Sequence, residues 1–192
     1  RSNMSCGSTP MGLGRLRNST LKRKFRWTFV VNNICRSGSI PASFVKLASR
    51  PNLSVEETEI NYLNAKTWIP GKGTWETITV TYYDVGEADM GPLFTWINSI
   101  YQIGPNALQE QKQSSNPRDY AATGILTLFD GCGNGVEKWK LFNLWPQAVN
   151  FGELDYSSSE EVTIELTLRY DAVEYQNCCG AFNLASCCTP CG

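Results

Sequence analysis

The chain has 192 residues, of which 42% are hydrophobic and 18% charged, and its 17 basic and 18 acidic side chains give a net charge of −1. This composition excludes a disordered, collagen-like or coiled-coil polypeptide, and the length favours a single domain. The chain contains no histidine, which excludes catalytic systems with a histidine base and metal sites with histidine ligands, so we expect no enzyme.

The first residues form a basic segment ahead of the first predicted strand. Residues 1–26 hold seven Lys and Arg side chains and no acid, so the rest of the chain carries a charge of −8. Glycine and small polar residues dominate the first twenty positions, which is typical of a flexible terminus. We expect residues 1–21 to be a flexible basic arm, either merely solvated or directed at nucleic acid or an acidic protein surface.

Alternating apolar and polar residues predict strands in the next part of the chain. The first strand, over residues 25–31, has one apolar face made of Phe25, Trp27, Phe29 and Val31. A second strand is predicted over residues 74–83, which are β-branched and aromatic throughout. Residues 61–72 interrupt two strands and are predicted to be a long connection, of the kind that is often functional.

One segment departs from the alternating pattern and predicts an amphipathic helix. From Pro92 the apolar residues follow helical spacing, with Asp89 placed to cap the helix and Pro92 suited to its first turn. The apolar positions are Leu93, Trp96, Ile97, Ile100 and Tyr101. No apolar run approaches the ~18 residues that cross a bilayer, and we expect neither a membrane span nor an export signal.

The second half of the chain predicts a hairpin and a further strand. Residues 125–129 and 136–144 are strand-like, and the turn between them, residues 130–135, is rich in glycine, aspartate and asparagine. Residues 162–170 alternate strictly, with the apolar positions Val162, Ile164, Leu166, Leu168 and Tyr170. We therefore predict one helix against a predominantly antiparallel β-structure.

The chain has eight cysteines, and five of them lie near its end. Their positions are Cys6, Cys35, Cys132, Cys178, Cys179, Cys187, Cys188 and Cys191. Cys188 and Cys191 have the spacing of half a zinc site, but a second pair at that spacing is absent. Structural disulfides, a metal site and reduced thiols all remain open for these cysteines, and a cysteine-rich extension is predicted over residues 177–192.

An ordered series of motifs resembles one protein family. The series comprises Leu126-Thr-Leu-Phe-Asp130, Trp139, Phe142, Asn143-Leu-Trp145-Pro146-Gln147, Leu154-Asp155-Tyr-Ser and Glu161-Val-Thr-Ile-Glu165. The N-terminal half agrees, with strands at 25–31, 55–60 and 77–80 and a helix that carries Leu93, Phe94 and Trp96. Over residues 22–175 the chain is similar to the major tail tube proteins of contractile-tailed bacteriophages, which resemble type VI secretion inner-tube proteins.

The resemblance implies a mainly β fold over residues 22–176, with two packed antiparallel sheets in a barrel-like sandwich and one flanking α-helix. It implies a structural virion protein whose hexameric rings stack into a conduit for genome ejection inside a contractile sheath. The implied partners are further copies of the chain, sheath, baseplate and tape-measure proteins, and double-stranded DNA that passes through the lumen without sequence-specific binding. No cofactor, metal or membrane is implied, and the tail would be assembled in the bacterial host cytoplasm.

The resemblance also assigns contacts. It gives the contact between rings to residues 61–72, with the candidates Asn61, Tyr62, Leu63, Asn64, Lys66, Trp68 and Lys72. The cysteine-rich extension has no counterpart in the family, and we expect its cysteines, with Cys6, to link neighbouring subunits by disulfides. The alternative functions are the inner tube of a secretion system and a zinc- or DNA-binding module that uses the basic arm and the cysteines.

Overall fold

Strands make up most of the fold, because apolar residues alternate with polar ones along much of the chain. The computed structural model describes residues 22–104, 116–157 and 159–177. The strands and helices in chain order are β1 (Trp27–Ile34), β2 (Gly38–Ile40), β3 (Val45–Ala48), β4 (Leu53–Tyr62), β5 (Ala65–Trp75), β6 (Ile78–Tyr83), α1 (Glu87–Ile100), α2 (Pro117–Tyr120), β7 (Ala122–Phe129), β8 (Gly135–Asn150), β9 (Thr163–Arg169) and β10 (Ala172–Asn177).

Two antiparallel sheets share the long strand β8. The first sheet contains β2, β1, β7, β8 and β10, and the second contains β8, β9, β6 and β3. The first part of β8 pairs with β7 and β10, and its last part pairs with β9. Asn143 lies near the end of the first part, where the register with β7 shifts; it has φ 53°, and its Nδ2 donates to Oδ2 of Asp171 at 2.9 Å. The predicted fold class, mainly β with two antiparallel sheets, is confirmed.

The inward faces of both sheets and one face of α1 meet in a single apolar core. Every second residue of β6 and β9 is buried, which gives Ile78, Val80, Tyr82, Ile164, Leu166 and Leu168. The first sheet contributes Phe29, Val31, Leu126 and Leu141. Full burial of a side chain of this size stabilises the fold by about 1.5–3 kcal/mol. The alternation predicted over residues 162–170 is thus confirmed, although Val162 itself lies before β9.

The predicted amphipathic helix is confirmed as α1, but it begins earlier than expected. Its N-cap is Gly86, so the prediction that Asp89 caps the helix is wrong, and Pro92 lies inside the helix instead of in its first turn. Leu93 and Trp96 are fully buried, whereas Tyr101 follows the last helical residue and is exposed. The row of buried side chains on α1 therefore ends one turn earlier than the sequence pattern predicted.

Three further expectations need correction. Phe25 was placed on the inner face of the first strand, but it precedes β1 and is 74% exposed. The strand predicted over residues 74–83 is divided, because β5 ends at Trp75 and β6 begins at Ile78. Asn177, where the cysteine-rich extension was predicted to start, is the last residue of β10, a strand that the sequence did not predict. The hairpin of β7 and β8 is as expected.

One carboxylate is buried beneath the first sheet and has several partners. Glu137, on β8, is fully buried, and its side chain accepts hydrogen bonds from Lys22, Arg50 and Trp139 Nε1. Burial of the carboxylate raises its pKa, but the hydrogen bonds from Lys22 and Trp139 and the charges of Arg50 and Lys22 together lower the pKa below its ordinary value. Glu137 is therefore ionised at neutral pH and ties residue 22 to the sheet.

Candidate functional site

The candidate site is a long hairpin formed by β4 and β5. Residues 61–72 were predicted to be a loop, and this is wrong: β4 runs to Tyr62 and β5 begins at Ala65. The two strands pair antiparallel from Leu53 opposite Trp75 to Tyr62 opposite Ala65. Leu63 and Asn64 form a two-residue turn, in which Leu63 has φ 51°. The sequence missed the strand β5 because Pro70, Gly71 and Gly73 are typical of turns.

The hairpin projects from the domain. Its strands form a separate two-stranded sheet, and all of their side chains are exposed except that of Trp75, which is half-buried. Trp75 packs against the core, where its ring lies 6.3 Å from that of Tyr170, measured between centroids. An isolated two-stranded hairpin is marginally stable in water. The protrusion is therefore held at its base and has no covering layer among the described residues.

One face of the hairpin is apolar towards its tip. Tyr62 lies opposite Ala65, Ile60 opposite Thr67, and Ile69 opposite Thr58, so all six residues share a face. Tyr62 is 75% exposed, and Leu63 at the turn is 89% exposed. Large apolar side chains that cluster on a projecting element are typical of a protein–protein contact.

The other face carries a surface ion pair beside an exposed tryptophan. Lys66 Nζ lies 2.8 Å from Glu59 Oε1, and Trp68 is the cross-strand partner of Glu59. An exposed pair of this kind contributes about 0–1 kcal/mol to stability, so it matters more for the charge pattern than for the fold. The structure brings all seven predicted contact residues onto this hairpin, namely Asn61, Tyr62, Leu63, Asn64, Lys66, Trp68 and Lys72.

The family-motif residues divide into buried and exposed ones. Trp96 is fully buried, and its Nε1 donates to the backbone oxygen of Tyr120 at 2.6 Å. Pro146 is buried and Trp139 and Trp145 are half-buried. Leu154 and Asp155 are exposed in the loop between β8 and β9, with Leu154 83% exposed, so these two do not pack in the core.

The structure describes two of the eight predicted disulfide candidates. Cys35, in the turn after β1, is a half-buried free thiol, whereas Cys132, in the turn between β7 and β8, is disulfide-bonded. The remaining candidates lie outside the described residues, as does the predicted basic arm: Cys6, Cys178, Cys179, Cys187, Cys188 and Cys191. Within the described ranges no group of three or more His, Cys, Asp or Glu side chains is placed to hold a metal ion.

The helices of the described segments are too short or too polar to cross a membrane.

No protein-family model matches the chain, and no curated protein sequence does. Solved structures do match. A chain of an extracellular contractile injection system, the PVC sheath-tube complex in its extended state, is similar with a TM-score of 0.64 and 19% identity over 87% of this chain and 99% of that one.

Two chains of the anti-feeding prophage also match. One comes from its baseplate, with a TM-score of 0.61 and 16% identity over 83% of this chain and 97% of that one. The other comes from its tube-terminating cap, with a TM-score of 0.61 and 18% identity over 83% and 93%. The chain has the contractile tail tube fold. The predicted resemblance is confirmed at the level of this tube fold, and among the described residues the hairpin carries seven large hydrophobic side chains that are exposed.

Proposed function

We propose that the chain is a structural subunit that assembles with further copies into a tube inside a contractile sheath, and that it performs no catalysis. The observation that carries this proposal is the β4–β5 hairpin, an anchored protrusion with exposed apolar side chains on a tube-type fold. A projecting element that fits a different surface on the next copy makes a heterologous contact, which closes into rings or continues into filaments.

The hairpin supplies the contact between successive rings. Full burial of Ile60, Tyr62 or Leu63 against a second copy stabilises that contact by about 1.5–3 kcal/mol per side chain. The same contact orders a two-stranded element that is marginal alone. The two faces differ, with Tyr62 and Ile60 on one and the pair of Glu59 and Lys66 on the other, so the hairpin docks in a defined orientation.

The specific details of the proposed function follow from the family resemblance. Rings of six copies stack into a conduit for genome ejection, with sheath, baseplate and tape-measure proteins as partners and double-stranded DNA passing through without sequence-specific binding. The tail belongs to a virion and is assembled in the host cytoplasm. The alternative is the inner tube of a secretion system, which passes protein instead of DNA, and the likeness to a sheath-tube complex of an extracellular contractile injection system fits either cargo. Nuclease-protected DNA in purified full tubes would support the genome conduit, and protein in those tubes would support the protein-conducting tube.

Disulfides between subunits are the last part of this proposal. The chain carries eight cysteines, six of them outside the described residues, and a disulfide adds about 2–4 kcal/mol where it restricts the separated state. Electrophoresis of assembled tubes without reductant should show ladders of linked subunits that collapse to one band after reduction. A single monomer band without reductant contradicts these links.

Negative-stain electron microscopy tests the assembly. Purified protein should form rings that stack into tubes, and dispersed small particles at every concentration tried would contradict the proposed function. The variant with Tyr62→Ser and Leu63→Ser should form rings that no longer stack. Its matched control is Ile103→Ser, which removes another exposed apolar side chain, far from the hairpin in sequence, and should leave tubes intact. Normal tubes from the hairpin variant contradict a stacking role for the tip.

A further inference from the structure

A loop with acidic and apolar side chains projects from one end of β8. It comprises residues 152–157 and 159–162, between the last residue of β8, Asn150, and the first residue of β9, Thr163. Leu154 is 83% exposed and Tyr156 is fully exposed, while Glu153, Asp155, Glu160 and Glu161 supply four carboxylates in the same segment. We call this segment the acidic loop. Its side chains form a surface in which two large apolar groups are surrounded by negative charge.

Local hydrogen bonds hold the acidic loop in shape. Asp155 accepts from the backbone N–H of Ser157 at 2.9 Å and from its hydroxyl at 2.7 Å, and these bonds lower the pKa of the Asp155 carboxyl. Gly152 adopts φ 73°, and its N–H donates to Oδ1 of Asn150 at 3.0 Å. A surface that is already ordered loses less conformational entropy when it binds.

A cavity of opposite character lies near the other end of β8. Its volume is about 340 Å³, and Trp27, Leu47 and Leu126 give it an apolar lining. Four cations surround it, Lys22, Arg23, Lys24 and Arg50, and two of them, Lys22 and Arg50, bind the buried Glu137, so these five side chains carry a net charge of +3. We call it the basic cavity. Leu47 is 60% exposed, so the cavity is open to a partner.

The acidic loop does not fill the basic cavity of its own chain. The cavity residue Leu128 pairs with Glu137 on β8, and the loop starts after Asn150, thirteen residues further along. Thirteen residues of a strand span up to about 40 Å. In the structure Leu154 remains exposed, and the cavity is unfilled by described residues. The two surfaces do not meet within the chain in this structure, and a second copy would bring them together.

We propose that the acidic loop of one copy docks in the basic cavity of the next. Leu154 and Tyr156 then pack against Trp27 and Leu47, while Glu153, Asp155 and Glu161 face the cations around the cavity. A loop with four carboxylates meets a cavity with a net charge of +3, a pairing that steers association and fixes the register of the two copies. The inference rests on the proposed self-assembly and adds to it a second contact, separate from the hairpin.

Charge reversal tests this contact. A loop variant carries Glu153→Lys and Glu161→Lys, and a cavity variant carries Arg23→Glu and Lys24→Glu, which spares the two cations that bind Glu137. Each variant should need at least about tenfold more protein to assemble, because it places like charges together. The combined variant restores opposite charges and should assemble as the wild type does. Glu174→Lys, an exposed reversal on β10, is the matched control and should assemble normally.

The outcomes separate the possible occupants of the cavity. Loss of assembly in both single variants, as monomers or as unstacked rings, together with rescue in the combined variant, supports the proposal. Normal assembly of the loop variant overturns the proposal. If the loop variant assembles normally and the cavity variant does not assemble, another element, such as the hairpin or nucleic acid, occupies the cavity. Failure of rescue also overturns it. Circular dichroism and thermal melts of every variant should match the wild type, since the four substituted residues are exposed.

A zero-length crosslink tests the contact between loop and cavity independently of tube assembly. If the wild type forms no tubes, the proposed function is contradicted, but the crosslink still shows whether the loop of one copy touches the cavity of another. A carbodiimide joins a carboxylate to a lysine amine only where the two groups touch. In a mixture of ¹⁴N- and ¹⁵N-labelled protein, we expect mixed-isotope peptides that join Lys24 to Glu153 or Glu161. Lys24→Arg keeps the charge and removes the amine, so this product should disappear while assembly persists. Absence of interchain products in concentrated wild-type protein overturns the proposal.

Discussion

The ammonium of Lys22 binds the carboxylate of Glu137, a residue 115 positions later in the chain and fully buried under the first sheet. Arg50 and Trp139 complete the set of donors to this carboxylate. A buried charge that loses its partners is costly, whereas a satisfied one is tolerated. The contact therefore ties Lys22 to β8 and places a group of cations at the rim of the basic cavity.

Replacing Glu137 should destabilise the protein in a pH-dependent way. Glu137→Gln should lower the free energy of unfolding by about 3 kcal/mol at pH 7, since the charged acceptor of three donors is lost. The pKa of Glu137 is lowered in the folded state, so its contribution is fully present above the pKa of the unfolded chain and disappears as the pH falls through the folded pKa. In urea unfolding, the difference in the free energy of unfolding between Glu137→Gln and the wild type should shrink as the pH falls from 7 to 3. Glu165→Gln, an exposed change on β9, should show no such gap.

Trp96 joins α1 to α2 through one hydrogen bond. Trp96→Phe keeps a large ring but removes the donor to the Tyr120 carbonyl, and we expect a loss of about 1–3 kcal/mol in the free energy of unfolding. Trp96→Ala also leaves a cavity and should cost about 3–5 kcal/mol. Chemical denaturation of the two variants measures both losses. Equal losses would show that the hydrogen bond contributes and the ring volume does not, contrary to this expectation.

Two glycines should respond in opposite ways to alanine. At Gly124, in β7, an added Cβ would lie 2.9 Å from Leu144 Cδ2 and 3.3 Å from Phe29 Cζ, so Gly124→Ala should cost about 1–3 kcal/mol through overpacking. At Gly91, inside α1, an added Cβ meets nothing within 4 Å, and Gly91→Ala should stabilise the protein by about 0.5–1 kcal/mol. Thermal melts compare the two variants directly. A lower melting temperature for Gly91→Ala would contradict the open surroundings described for this position.

Asn143 occupies a left-handed conformation where β8 passes from one sheet to the other. Asn143→Gly keeps that conformation accessible and loses the bond to Asp171, so we expect a loss of about 1 kcal/mol. Asn143→Val places a β-branched residue at positive φ and should cost about 2 kcal/mol or more. The difference between the two variants in urea unfolding reports the backbone strain together with the greater freedom of Gly in the unfolded chain. Similar stabilities would contradict a strained position.

The two described cysteines should differ in reactivity. Cys35 is a free thiol and Cys132 is disulfide-bonded, so alkylation of the unfolded protein without reductant should label Cys35 and spare Cys132. Mass spectrometry of the peptides measures both. Reduction before alkylation is the control and should label both residues. Labelling of Cys132 without reductant would contradict its disulfide.

The sequence predicted the elements whose burial alternates. Ile164, Leu166 and Leu168 are buried on one side of β9 and are separated by exposed or half-exposed residues, so the pattern is visible without the fold. The stripe of α1 was visible for the same reason, but its start was misplaced because Pro92 was taken for a first-turn residue. Local periodicity is a sufficient signal only where one face of an element is buried.

Sequence periodicity predicted less of the candidate site than of the core. Both faces of β4 and β5 are exposed, so no alternation marks them as strands, and the family resemblance alone indicated their tip residues. β10 carries mostly exposed side chains and owes its conformation to pairing with β8. The contact between Lys22 and Glu137 joins residues far apart in the chain, and no local pattern encodes it.

The sharing of β8 between the sheets has a mechanical consequence. Pulling the two layers apart requires more than the rupture of hydrogen bonds, because the covalent backbone of one 16-residue strand runs through both. A load applied at the acidic loop, after Asn150, is carried along that strand towards Glu137 and the basic cavity at its other end. The acidic loop and the basic cavity are therefore joined by the backbone of a single strand.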